Sequence, residues 1–143
     1  MIEAIAFDAY GTLFDVYSVS ASCEAMFPNY GKPVSELWRD KQIEYTRLRT
    51  MCNQYEPFCK VTEDALIFAC KKLALNLTPE IKDVLMGQYA KLPAFAENLA
   101  VLKTLKSLGI KLAILRYRNI LCRMLQNSTQ LTEQLSDLKF FII

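Results

Sequence analysis

Ala4-Ile5-Ala6-Phe7-Asp8-Ala9-Tyr10-Gly11-Thr12-Leu13-Phe14-Asp15-Val16 decides how the rest of the sequence is read. Its apolar opening, residues 5–7, has the composition of a buried strand. Asp8 stands where that strand should end, with Gly11 and Thr12 in the turn behind it. In open α/β sheets, ligands bind beyond the carboxyl ends of the strands. Asp8 is therefore placed for chemistry. An aspartate also ends strands by bonding its own loop, and position alone does not separate these readings.

Composition narrows the classes. At 52% hydrophobic and 22% charged, the 143 residues describe a folded chain with one moderate core, which fits one domain with an insertion. A net charge of +2 is too small to point to nucleic acid or an acidic membrane surface. No apolar run approaches the roughly 20 residues that span a bilayer. The absence of histidine excludes Ser-His and Cys-His catalytic pairs and any His-ligated metal. Cys23, Cys52, Cys59, Cys70 and Cys122 form no CxxC pair and no metal-like spacing. Their odd number and the lack of a leader pattern lead us to expect reduced thiols and a cytoplasmic protein, with no Cys52–Cys59 disulfide.

Outward from the opening strand, the pattern is helical over residues 17–92. Residues 18–27 form a short amphipathic segment stopped by Pro28-Asn29-Tyr30-Gly31. Pro33 is expected to open a long helix, with Val34, Leu37, Trp38, Tyr45, Leu48 and Cys52 at three- and four-residue spacing. Thr62 reads as an N-cap, with Glu63 and Asp64 at the positive end of that helix. Thr78-Pro79-Glu80 is another cap signature.

Residues 97–108 form an amphipathic helix through Leu99, Leu102 and Leu105, ended by Gly109. Lys111-Leu112-Ala113-Ile114-Leu115 is the next strand, and residues 140–143 read as a third. Residues 120–136 read as mixed helix and loop. The expected fold is α/β, a partial Rossmann-like parallel sheet core with an inserted four-helix cap. The core comprises residues 1–15 and 93–143, and the cap residues 16–92.

Phe7 to Val16 resembles the first motif of the haloacid dehalogenase superfamily, in its L-2-haloacid dehalogenase branch. Leu37-Trp38-Arg39, Lys41-Gln42 and Glu44-Tyr45-Thr46 resemble the cap helix of that family. So do Tyr55-Glu56-Pro57-Phe58 and Thr62-Glu63-Asp64-Ala65-Leu66, and the strand 111–115 resembles the one before the family's second motif. Superfamily phosphatases carry a second aspartate two residues after the nucleophile, where this sequence has Tyr10. That acid protonates a leaving alkoxide and helps shape a magnesium site. A halide leaves as an anion and needs no proton, so Tyr10 favours dehalogenation over phosphoryl transfer.

The resemblance implies a set of roles. Asp8 is the nucleophile, attacking the halogen-bearing carbon to give an ester that water then hydrolyses. Arg39 accepts the leaving halide from the cap side. Thr12 holds the nucleophile, and Tyr10, Ile43 and Phe58 wall the halogen pocket, although such residues at helical spacing also build cores. The implied partner is a small 2-haloalkanoic acid; no metal, cofactor, nucleic acid or membrane is implied. Family members pair through cap helices, and the apolar Leu48 and Met51 are compatible with a homodimer or equally with packing inside the cap.

Two departures stand out. Where the family has Ser-Asn-Gly after the second strand, this sequence has Arg116-Tyr117-Arg118. Arg116 either clamps the substrate carboxylate bidentately or belongs to a degenerate segment that points outward, and the bulk at 116–118 favours the latter. The family also carries a later lysine and strand beyond the length of this sequence, and that role is not transferred to Lys139. The expectation is the front part of such a protein, with an exposed sheet edge. Two alternatives remain: a magnesium-dependent phosphatase of the same superfamily, and a non-catalytic remnant whose cap is an interaction surface.

Overall fold

The computed structural model describes residues 2–115 and 141–142. Its elements run β1 (Ala4–Asp8), α1 (Ser20–Met26), α2 (Gly31–Met51), α3 (Phe58–Lys72), α4 (Pro79–Tyr89), α5 (Asn98–Ser107), β2 (Lys111–Leu115) and β3 (Phe141–Ile142). The strands form one parallel sheet in the order β1-β2-β3, and four helices intervene between β1 and α5. Arg116, Tyr117, Arg118, Lys139, Cys122 and the segment 120–136 lie outside the described residues.

β1 and β2 pair from Ala4↔Lys111 to Asp8↔Leu115, so Ile5 and Phe7 share a face with Leu112 and Ile114. Phe7 and Ile114 pack with α5 through a small cluster of Leu13, Leu102 and Leu112. The opposite face carries Ala4 and Ala6, both exposed. The sequence reading of a buried strand is thus met on one face only, because α5 is the helix that the described residues bring against this sheet.

The four intervening helices enclose a larger core, in which Trp38, Leu66 and Leu85 have no solvent exposure. α2 starts at Gly31 rather than at Pro33. The reason lies in α1: the Glu24 carboxylate accepts the N–H groups of Asn29 (2.7 Å) and Gly31 (2.8 Å) and so organises the entry to α2. A Cβ on Gly31 would stand 2.6 Å from Glu24 Cβ and 2.7 Å from the Ser20 carbonyl. Only glycine allows that approach.

α3 corrects the expected cap at Thr62. The helix starts four residues earlier, at Phe58 behind Pro57, and Thr62 is 2% exposed inside it. Its hydroxyl donates to the Phe58 carbonyl (2.7 Å), a bond within the helix rather than a cap. Glu63 and Asp64 pair instead with Lys82 (2.7 Å) and Arg49 (2.6 Å). Thr78 does cap α4, its hydroxyl accepting the Ile81 N–H at 3.3 Å with Pro79 as the first helical residue.

Candidate active site

Asp8 is the last residue of β1 and is exposed at the carboxyl end of the sheet. The chain then folds tightly: the N–H groups of Leu13 and Phe14 both donate to the Ala9 carbonyl, at 3.0 and 2.9 Å. Gly11 has φ +92°, a conformation that costs a side-chain-bearing residue strain. A Cβ there would also lie 3.8 Å from Arg39 Nη2. The turn behind Asp8 therefore needs glycine for its backbone conformation, and Arg39 lies in ordinary contact distance of it.

Arg39 reaches it. Its Nη2 donates to the Tyr10 carbonyl at 3.0 Å and its Nη1 to Gln42 Oε1 at 2.7 Å. The structure thus seats a guanidinium from the helical layer on the turn that begins directly after Asp8. Tyr10 also anchors an aromatic cluster: its ring centroid lies 4.8 Å from Phe58 and 6.1 Å from Tyr89, and Trp38 lies 4.9 Å from Tyr89.

Of the expected site residues, Asp8, Tyr10, Arg39 and Phe58 are brought to one region. Ile43 is half-buried on α2, one helical turn beyond Arg39. Thr12 is exposed, and its carbonyl accepts from Asn98 Nδ2 at 3.0 Å. Arg116 lies outside the described residues.

Sequence reasoning missed Gln42, Thr62 and Tyr89 as site residues. Gln42 is 1% exposed and joins three helices: its Oε1 also accepts from the Tyr89 hydroxyl (2.7 Å), and its Nε2 donates to Thr62 Oγ1 (2.6 Å). The signal was present. Gln42 continues the buried stripe of Gly31, Val34, Ser35 and Trp38 on α2, where an amide must find partners. Burial pushes the Tyr89 phenol above its ordinary range, against the lowering effect of Arg39 and the Gln42 contact, so it remains a proton donor at neutral pH.

A small open cavity of about 20 Å³ is lined by Thr46, Arg49, Thr50, Tyr55, Glu56, Phe58 and Val61. Phe58 therefore separates this cavity from Tyr10. Among the described residues, no three His, Cys, Asp or Glu side chains are grouped to hold a metal ion, and no helix is long and apolar enough to cross a membrane.

No family model matches the sequence. An (S)-2-haloacid dehalogenase of Pseudomonas sp. (strain YL) is 49% identical over 114 residues, covering 80% of this chain and 49% of that protein. Haloacetate dehalogenase H-2 of Moraxella sp. (strain B) is 44% identical over 114 residues, covering 80% of this chain and 51% of that protein. A crystal structure of an L-2-haloacid dehalogenase superposes with a TM-score of 0.84 at 41% identity, covering 98% of this chain and 66% of that one. The L-2-haloacid dehalogenase of Xanthobacter autotrophicus with chloropropionic acid covalently bound gives 0.84 at 32% identity, covering 100% and 56%.

A parallel α/β sheet, an aspartate at the end of its first strand and an arginine from the intervening helices on the turn after that aspartate form an arrangement of the haloacid dehalogenase type. The chain belongs to the L-2-haloacid dehalogenase family. It spans about half the length of the curated relatives it matches.

Proposed function

We propose that this chain carries the displacement chemistry of a hydrolytic 2-haloacid dehalogenase, acting on small L-2-haloalkanoic acids. The observation that carries the reading is the Arg39–Tyr10 contact of 3.0 Å, which brings a permanent cation to the turn directly after Asp8. A guanidinium offers five N–H donors, and two of Arg39's hold it to Tyr10 and Gln42. An anion forming beside it gains charge-assisted hydrogen bonds that the neutral substrate halogen does not, which is transition-state stabilisation.

In this reading an Asp8 carboxylate oxygen forms a bond to C2 of the substrate as the carbon–halogen bond breaks. The halide leaves with the bonding pair toward Arg39. Water then adds to the Asp8 ester carbonyl, releasing the 2-hydroxy acid and a proton and regenerating the carboxylate. Inversion at C2 makes the product the opposite configuration. The covalent chloropropionic acid adduct of the Xanthobacter relative supports the ester step. Tyr10 and Phe58, with rings 4.8 Å apart, supply an apolar wall for the halogen.

The residues around Asp15 and Pro93 support a division into core and cap. The Asp15 N–H donates to the Pro93 carbonyl at 2.9 Å, and Phe14 bridges antiparallel to Ala94. The chain thus enters and leaves the helical layer side by side, which fits a cap of residues 16–92 inserted into the core.

The test is incubation of the 143-residue chain with L-2-chloropropionate, following chloride release and protein mass. We expect chloride release and an Asp8 ester adduct, both lost in Asp8→Asn. Unchanged release from Asp8→Asn, or no adduct and no release from folded wild-type chain, overturns the reading.

A further inference from the structure

We propose that Gln42 is the positioning residue for Arg39: a buried, uncharged acceptor that fixes the guanidinium on the turn after Asp8 without neutralising it. This rests on Arg39 being the halide acceptor, and deepens that reading. The argument starts from the direction of each hydrogen bond. The Thr62 hydroxyl has one proton, and it donates this to the Phe58 carbonyl at 2.7 Å. Thr62 Oγ1 can then only accept from Gln42, so the Gln42 amide nitrogen must face it at 2.6 Å. That turns Oε1 toward Arg39 Nη1 and the Tyr89 hydroxyl, both at 2.7 Å.

Each polar atom in this chain of contacts has one consistent assignment, and α2, α3 and α4 each contribute a member. The Trp38 indole N–H adds a further tie, donating to the Thr62 carbonyl at 2.8 Å. With Gln42 1% exposed and Thr62 2% exposed, the amide has no freedom to reorient without leaving a buried group unpaired. Arg39 is consequently held by Gln42 Oε1 and beside the Tyr89 hydroxyl in the helical layer, and by one carbonyl from the turn.

The neutrality of the acceptor is the functional point. A carboxylate at position 42 would hold Arg39 equally well in geometry, and better in energy. It would also cancel the charge that a departing halide needs, and would set a second acceptor against Thr62 Oγ1, whose proton is already committed. An amide anchors the cation and leaves its net charge unspent.

The experiment measures chloride binding to the 143-residue chain by protein-dependent broadening of the ³⁵Cl resonance, with folding followed by circular dichroism. The variants are Gln42→Glu, Gln42→Met and Arg39→Met. Gln42→Glu is expected to weaken chloride binding about tenfold or more at neutral pH. Its affinity relative to the wild type at the same pH should recover as pH falls below about 4, where the new carboxyl becomes a neutral isostere of glutamine. A merely structural role for Gln42 does not predict that profile.

Gln42→Met keeps the volume without the acceptor. It should weaken binding at every pH and speed hydrogen exchange at the Arg39 η protons. Should Gln42→Glu not fold, Gln42→Met decides alone: unchanged chloride affinity or unchanged η-proton exchange overturns the inference. Chloride binding that persists in Arg39→Met, or is absent from the wild type, overturns instead the assignment of Arg39 as halide acceptor. Loss in Arg39→Met with wild-type behaviour in both Gln42 variants overturns the Gln42 proposal alone.

Discussion

In the α1–α4 layer, fourteen buried residues form one cluster around Trp38 and Leu66, whereas against the sheet three do, among the described residues. The helical layer closes on itself. Cys23 and Cys70 sit inside it with thiols that burial pushes up to about 12 and about 11, so both are protonated and inert. Opposite them, β1 alternates exposed and half-buried residues along its length, and Ala4 and Ala6 face outward. The difference follows from distance along the chain. Helices α2 and α3 are joined by residues 52–57, but β1 and β2 pair across about a hundred residues and, among the described residues, take cover from one helix. The candidate site lies at the seam, with the cation supplied by the well-packed side and the carboxylate by the exposed one.

If that contrast is real, core truncations should differ in size. Leu66→Ala is expected to cost about 4 kcal/mol, in the upper part of the roughly 2–5 kcal/mol seen for buried leucines. Leu102→Ala, in the three-residue cluster, should fall near 2 kcal/mol. Urea denaturation measures both, and equal costs would break the comparison. A sharper probe is Gly31→Ala. Alanine improves helix propensity by about 1 kcal/mol, yet here its methyl would meet the Ser20 carbonyl at 2.7 Å. A net loss of about 1–2 kcal/mol is expected, and a gain would mean α1 and α2 are packed less tightly than their contacts imply.

The smallest effect concerns acid. Burial pushes the Asp64 carboxyl up, but the Arg49 and Lys60 contacts outweigh this and hold it below the usual carboxylate range. A carboxyl depressed by folding contributes stability above its unfolded pKa and loses it as pH falls through the folded value. The helical layer should therefore weaken from about pH 4 downward, and Asp64→Asn should flatten part of that slope by under about 1 kcal/mol, because both partners are partly exposed. A pH series of thermal melts checks this; an unchanged slope in Asp64→Asn would remove the ion pair from the account.

Much of this was legible beforehand. The span of β2, the Thr78 cap and the helical run between β1 and α5 follow from local pattern, and the family resemblance pointed to Asp8, Tyr10, Arg39 and Phe58. Thr62 was misread because a hydroxyl followed by two acids has the same local signature whether it starts a helix or sits inside one. What distinguishes the cases is Gln42, twenty residues away in sequence and 2.6 Å away in space. Gly31 was passed over for Pro33 because the need for glycine comes from α1, not from the helix it begins.

The sequence by itself determined the periodic elements and the chemistry-bearing residue types, since strand alternation, helical spacing and caps are set by near neighbours. Only the tertiary structure decided which polar groups share protons. The chain from Phe58 through Thr62 and Gln42 to Arg39 and Tyr89 depends on three helices meeting at one buried amide. A buried amide must be satisfied by whatever packing brings near it, and that packing is not written in any one segment.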